Sequence, residues 1–345
     1  MSSGDTLSAR KLDHIEVCLD GASSQFDRLG EGFDRYRFIH DALPDLRPED
    51  VDLSVEFLGH TLSAPFIVSS MTGGPEKGST INTNVARAAE TLGVAMAVGS
   101  QRIAIEDPST AGSFEVRHVA PKVPLYGNLG AVQLNYGYGL AQAQAAVDMI
   151  GADGLFLHLN PAQEAVQDEG DTDFRGLFDK IVELVRAAPF PILIKETGCG
   201  VQGALAARLH QAGVAAIDVA GAGGTSWTRV EAKRSRSPNN AAVGEAFANW
   251  GMPTTETIRE CREAAPDAKL IASGGVRSGL DAAKAIALGG DVVGLAQPVL
   301  EAALTDAGAV QDVLERFITE LRLACFLTGS RTLADLRRPG VLRRA

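Results

Sequence analysis

The chain has 345 residues, 45% of them hydrophobic and 22% charged, with a formal net charge of -11 and a sequence pI of about 5.1. This is ordinary globular composition, and the acidity argues against nucleic acid or an anionic membrane as the main partner. The four cysteines, Cys18, Cys199, Cys261 and Cys325, are far apart and show no CxxC spacing, so neither a zinc site nor a disulfide framework is expected. No apolar run is long enough to span a bilayer and no signal-peptide core follows Met1, so the chain is expected to be soluble, reduced and cytoplasmic.

Residues 1–64 read as an N-terminal extension. Its "ARKLDHIEV" groups Arg10, Lys11 and His14 in an otherwise acidic chain. That group is either a flexible basic tail or a phosphate clamp folding over a site. Further on, "VDLSVEFLGHTL" alternates in polarity and suggests a hairpin that covers the bottom of the following domain. From residue 65 to 345, short apolar runs alternate with helical patterns. The runs are 65–70, 94–100, 124–131, 154–160, 191–198, 215–223, 269–276 and 291–300. Helical stretches are expected after each, including a short one around 110–119 and a long insertion after the sixth run. The runs are continuously apolar, as in parallel strands buried on both faces. Eight such units with right-handed crossovers predict a closed (β/α)8 TIM barrel, with an open doubly wound sheet as the alternative.

In a barrel of this kind the chemistry sits at the C-terminal ends of the strands. There the chain has "SSMTGG", "GSQR", "NLGA", "HLNPAQE", "KETG", "GAGGTSW", "SGGVRSG" and "AQP". "SGGVRSG" and "GLAQP" follow runs seven and eight, where backbone N–H groups and a helix start commonly hold phosphate. Lys195, near the end of an apolar run, is either a functional cation facing the mouth or a snorkelling side chain. Met71, Thr72, Ser100, Gln101 and Asn128 are donors and acceptors suited to the edge of a planar heteroaromatic ring. A flavin suits them better than a nicotinamide, because no GxGxxG follows the first strand. Glu164 is a candidate Mg²⁺ ligand, whereas Asp168, Glu169, Asp171 and Asp173 read mostly as a solvated loop and helix cap. The insertion "WTRVEAKRSR" has the length of a lid and offers more cations.

Taken in order, "RKLDHI", "SSMTGG", "VGSQR", "NLGAVQL", "HLNPAQE" with "QDEGDTDF", "KETGCG", "AGAGGTSW", "SGGVRSG" and "LAQP" resemble the type 2, FMN-dependent isopentenyl-diphosphate isomerase family nearly end to end. The resemblance implies a barrel that holds reduced FMN, Mg²⁺ and a diphosphate substrate, with NADPH or NADH reducing the flavin. The implied reaction is a redox-neutral 1,3-proton shift between isopentenyl and dimethylallyl diphosphate. By motif, FMN would meet Met71, Thr72, Gly73, Ser100, Asn128, Lys195, Thr225, Gly274, Gly275, Ala296 and Gln297. The substrate would meet Arg10, Lys11, Arg102, His158, Asn160 and Gln163, and Glu164 would hold Mg²⁺. Gln163, His158 and Lys195 are the catalytic candidates, and whether Gln163 or the flavin removes the C2 proton is open. A homo-oligomer, tetramer or octamer, is expected. The alternatives are an FMN-dependent 2-hydroxy-acid oxidase on the same barrel and a flavin-binding protein without turnover. The oxidase would need a His base with an Arg late in the barrel, and "GAGGTSWTRVE" supplies no His.

Overall fold

The computed structural model describes residues 3–20, 25–26, 30, 32–71 and 76–345. In it the eight apolar runs are eight parallel strands closed into a barrel. In chain order they are Phe66–Val68, Ala95–Ala97, Leu125–Gly130, Gly154–Leu159, Ile192–Glu196, Ala216–Asp218, Leu270–Ala272 and Val292–Leu295. Each strand pairs with the next, and the last closes on the first through Gly294 opposite Ile67. Helices pack outside; Leu177–Ala187, for example, buries Leu177, Ile181 and Leu184, one stripe at helical spacing. The architecture is the expected (β/α)8 barrel.

Side chains alternate across a strand, so every second residue of each strand points into the barrel. Ile67, Ala95, Ala97, Tyr126, Phe156, Leu193, Ala216, Ile271 and Val292 form one apolar cluster there. Tyr126 and Phe156 meet edge to face at 5.7 Å. The same cluster contains Phe57 and Leu62 from an antiparallel hairpin, Val55–Phe57 with His60–Leu62. Both are fully buried, so the hairpin fills the lower end of the barrel. Its two-residue turn has Leu58 at φ 49° and Gly59 at φ 85°, the left-handed pair that a twisted hairpin needs.

One segment differs from the sequence expectation, and another takes a conformation that the sequence left open. The stretch 110–119 is not a helix: a short helix, Arg102–Glu106, follows the second strand directly, and a 3-10 segment, Pro108–Ser113, comes next. Pro108 lacks an N–H and Gly112 costs backbone entropy, which together stop the helix early. The basic group of the extension is not in a tail but on a helix, Ser3–Leu19, which buries Ile15 and Cys18 in the main core. At the other terminus Leu342–Arg344 pairs antiparallel with Tyr36–Phe38. Among the described residues no helix is long and apolar enough to cross a membrane.

If the hairpin closes the barrel as a packed plug, Phe57→Ala should cost about 3–5 kcal/mol in urea unfolding. Leu43→Ala, at a side chain 88% exposed, should cost less than about 0.5 kcal/mol. Equal midpoints for the two variants would mean that the hairpin does not support the barrel.

Candidate active site

One residue-pair further along each strand, the barrel interior changes character. Above the apolar cluster the inward positions become Ser69, Asn128, His158, Lys195, Asp218, Ser273 and Gly294. All of these except Asp218, with the loops beyond them, border a cavity of about 260 Å³ to which all eight strand ends contribute. Met71, Ser100, Asn128, Lys195, Thr225, Gly274, Gly275, Ala296 and Gln297 line it, as do Arg10, Lys11, Arg102, His158, Asn160, Gln163 and Glu164. Thr72 and Gly73 lie outside the described residues.

The cavity has two unlike sides. One is a wall of backbone, with Gly221, Gly224, Gly274, Gly275 and Gly294 on its lining. Gly274 and Gly275 have φ of 107° and 70°, and a Cβ on Gly274 would run into the backbone of Gly221. Below this wall Ser273 follows the seventh strand directly, and Ser278 caps the helix Gly279–Ala287 by accepting the Asp281 N–H at 3.0 Å. Gln297 opens the helix Gln297–Thr305 on the same side. The Ser69 hydroxyl is buried on the lining and has no partner among the described residues. An unsatisfied hydroxyl beside close-approach backbone is a good fit to a flat, polar-edged cofactor with a phosphate.

The other side is ionic. The helix Ser3–Leu19 carries Arg10 and Lys11 over the mouth, and Lys11 Nζ donates to the Ser100 carbonyl at 2.9 Å. Burial, reinforced by the charge of Arg10, pulls Lys11 down to about 7. Burial also lowers Arg10, against the pull of Glu231 and Glu164. His158 donates from Nδ1 to Asn128 Oδ1 at 2.9 Å, while Asn128 Nδ2 donates to Ser70 Oγ at 3.1 Å. Burial, with help from the charge of Lys195, depresses His158 to about 4. The ring is therefore neutral at pH 7, with Nε2 as an acceptor. Lys195 Nζ pairs with Asp218 Oδ2 at 2.9 Å in the barrel interior, so it does not snorkel to solvent.

Glu164 sits on a short helix, Pro161–Val166, started by Pro161 at the end of the fourth strand. Its Oε1 accepts from Asn160 Nδ2 and its Oε2 from the Asp171 N–H, both at 2.8 Å. Burial raises its pKa despite those bonds. Asn160 Oδ1, next to it, is buried without a partner among the described residues. A buried carboxylate beside an orphaned amide oxygen is an oxygen donor set of the kind a hard cation takes. Among the described residues no group of three His, Cys, Asp or Glu could hold a metal without a ligand's help.

Several site residues escaped the sequence reading. Glu231, in the insertion helix Trp227–Arg234, accepts from Gln163 Nε2 at 2.8 Å and lies 2.8 Å from His14 Nε2 and 2.7 Å from Arg234. Burial would push Glu231 up, but these partners hold it below the usual range. His14 packs edge to face on Trp227, which also lines the cavity. Two of the insertion cations are spent internally rather than offered to a ligand: Arg234 pairs with Glu231 and Asp13, and Arg229 with Glu245. Asp171 is half-buried rather than solvated, and Asp168, although exposed in the loop as expected, is held by hydrogen bonds. Asp171 takes Arg102 at 2.6 Å and Gln133 at 2.8 Å, and Asp168 accepts from Ser235, Asn240 and the Arg236 N–H. Gln101 faces the scaffold, bonding Ala146 and Asn128 backbone. Their partners are tens to hundreds of residues away, so no local pattern marks them; for Asp218 the signal was a lone carboxylate in the apolar run "AAIDV".

Comparison with known proteins agrees with this geometry. The chain matches the FMN-dependent dehydrogenase family over residues 6–115 and 158–343. It is 50% identical over 336 residues to an isopentenyl-diphosphate delta-isomerase of Nostoc sp., covering 97% of this chain and 96% of that one. A protein of the same name from Xanthobacter autotrophicus is 52% identical over 330 residues, covering 95% and 96%. Solved structures of a flavocytochrome b2 mutant with pyruvate bound and of a mandelate oxidase mutant share the fold, with TM-scores of 0.69 and 0.66. They are 20% and 18% identical, cover 99% of this chain, and are themselves covered to 85% and 99%. The chain thus belongs to the isopentenyl-diphosphate delta-isomerase family within the FMN-dependent dehydrogenase group of barrels.

Proposed function

We propose that this protein interconverts isopentenyl and dimethylallyl diphosphate in isoprenoid biosynthesis, by a redox-neutral 1,3-proton shift that uses reduced FMN. The observation that carries the reading is the charge of the cavity. In a chain of net charge -11 its lining holds Arg10, Lys11, Arg102, Lys195 and Arg277 against one carboxylate, Glu164. Such a concentration of cations suits a ligand with several negative charges. Kinship with proteins named for this isomerase and with an FMN-dependent family supports the same reading. The barrel from residue 65 to 345 would be the catalytic unit, and residues 1–64 an extension that supplies the clamp and the plug. Mg²⁺, NADPH or NADH as the flavin reductant, a cytoplasmic location and a homo-oligomeric state, tetramer or octamer, complete the proposal.

FMN would lie along the glycine wall, held by Met71, Thr72, Gly73, Ser100, Asn128, Lys195, Thr225, Gly274, Gly275, Ala296 and Gln297. When bound and reduced, it supplies an electron-rich ring able to give and take protons, which an unactivated alkene requires. The chain's own groups orient the substrate. Arg10, Lys11 and Arg102 would take the diphosphate, with neutral His158 and Asn160 adding hydrogen bonds. Glu164 would join diphosphate oxygens in holding Mg²⁺. Gln163 would face C2, and its hydrogen bond to Glu231 gives the amide a carboxylate behind it. The closed floor below and Trp227 beside the cavity keep water from the reacting carbons.

The match to an FMN-dependent dehydrogenase family keeps the alternative of 2-hydroxy-acid oxidation in view. That chemistry needs a histidine base. The histidines lining the cavity are His14, engaged by Glu231, and His158, engaged by Asn128. The insertion after the sixth strand adds no histidine.

Anaerobic incubation with isopentenyl diphosphate, Mg²⁺ and FMN should yield dimethylallyl diphosphate when dithionite or NADPH reduces the flavin. Equal yield with oxidised FMN in air would refute the flavin's role, and bleaching by 2-hydroxy acids would favour the oxidase. Glu164→Gln should raise the Mg²⁺ needed for half-maximal rate roughly tenfold or more, with FMN affinity unchanged; an unaltered Mg²⁺ curve would make Glu164 a structural residue. The Lys11 environment predicts a pH effect on ligand binding. A bound diphosphate would raise Lys11 above its value of about 7 in the free protein, so binding above pH 7 takes up a proton. Diphosphate affinity should fall by about tenfold per pH unit from pH 7 to 9 relative to Lys11→Arg, whose guanidinium stays charged. Calorimetry of inorganic diphosphate binding to both proteins measures this, and parallel pH curves would contradict it.

A further inference from the structure

We propose that Asp218 is a positioning residue that acts through Lys195 to set how tightly the cavity holds reduced relative to oxidised flavin. This rests on the reading that FMN lies beside Lys195. Asp218 ends the sixth strand, and its side chain is 1% exposed. It does not border the cavity, but three residues it holds do: Lys195, Ser273 and Ala220. Oδ2 takes the Lys195 ammonium at 2.9 Å. Oδ1 accepts from the Ser273 hydroxyl and from the Ala220 N–H at 3.3 Å. The carboxylate thereby ties together the ends of strands five, six and seven, in register with Lys195 on one side and Ile271 on the other.

Ala220 shows that this bracket is under tension. Its φ is 37°, left-handed for a residue with a Cβ. Such a conformation is unfavourable for a residue with a Cβ and persists where surrounding bonds hold it. The bonds here are the Asp218 oxygen on its N–H and the Gly200 N–H on its carbonyl at 2.9 Å.

The electrostatic consequence has a definite sign. Reduction makes a flavin ring more electron-rich, so a bare ammonium beside it favours the reduced form. A carboxylate 2.9 Å behind that ammonium offsets part of this field, and burial keeps both interactions strong. Removing the carboxylate charge should strengthen the preference for reduced FMN, and removing the ammonium should weaken it. Once the ammonium is gone, the carboxylate no longer has a charged group on the lining to act through, since Ser273 and Ala220 are neutral.

The test is the ratio of the dissociation constants for oxidised and reduced FMN, measured anaerobically by fluorescence titration. It is run on wild type, Asp218→Asn, Lys195→Met and the double variant. Asp218→Asn should raise the ratio at least fivefold, and Lys195→Met should lower it. The double variant should match Lys195→Met within twofold, the non-additivity expected when one residue acts through another. A purely structural Asp218 would change both constants equally; a ratio for Asp218→Asn that is lower, or less than fivefold higher, overturns the proposal. Should Asp218→Asn not fold, the comparison of Lys195→Met with the double variant decides, because replacing both members of a buried pair is often tolerated. A difference greater than twofold between those two overturns it. Failure of wild type to bind FMN at all would overturn the flavin reading as well, and is recognisable as that separate result.

Discussion

The site depends on the two-residue repeat of a β-strand inside a closed barrel. Position parity decides which side chains face inward, and parity cannot change partway along a strand without a bulge. Tyr126, Phe156, Leu193, Ala216 and Ile271 build the apolar floor. The next inward positions on the same strands are Asn128, His158, Lys195, Asp218 and Ser273. The floor excludes water from below, which is why a lysine, a carboxylate and a neutral histidine at that level interact strongly enough to matter. Hairpin residues Phe57 and Leu62 extend the floor downward, so the plug contributes to the site's dielectric as well as to stability.

The mouth has a different problem, since Arg102 is paired with Asp171 and Glu106 but Arg10 and Lys11 form no ion pair among the described residues. Lys11 has a carbonyl and an aromatic ring for company, the Phe114 centroid lying 4.9 Å from Nζ. Its helix is held instead by neighbouring residues that do find partners on the insertion helix, His14 on the Glu231 carboxylate and Asp13 on the Arg234 guanidinium. One buried carboxylate, Glu231, thus links the N-terminal helix, the insertion helix and Gln163. The anchoring charges are satisfied within the protein, and the presenting charges are left for a ligand. A site arranged in this way gains its electrostatic stabilisation on binding, because the desolvation of Arg10 and Lys11 has already been met by folding.

How much of this could be read from the sequence follows from the range of each interaction. Continuous apolar runs between helical patterns mark all eight strands because parallel strands are buried on both faces. Polar residues at the ends of those runs mark the cavity for the same reason: Lys195 stands out against apolar neighbours, and Glu164 follows the abrupt end of the fourth run. Local rules failed where a proline or glycine outweighed composition, as at Pro108 and Gly112. They were silent where a partner lay far along the chain. His14 and Glu231 are 217 residues apart, and Gln163 and Glu231 are 68 apart. Nothing near residue 10 distinguishes a clamp helix from a basic tail, because the face that orders it comes from residues 227 to 234.

The carboxylates divide by the same reasoning into those that act and those that hold. Asp171 and Asp168 stand in the acidic loop after Glu164 and look interchangeable in sequence. Asp171 neutralises Arg102 and donates its backbone N–H to Glu164, so it fixes the direction of both groups at the mouth. Asp168 reaches away from the cavity to Ser235, Arg236 and Asn240, and pins the insertion to the same loop. The loop therefore couples the metal-ligand candidate to the lid-like insertion through two adjacent but opposed sets of hydrogen bonds. A dense run of carboxylates at a barrel mouth, which in an acidic protein would repel a diphosphate, is made compatible with one because each charge facing inward is answered by an arginine or an amide.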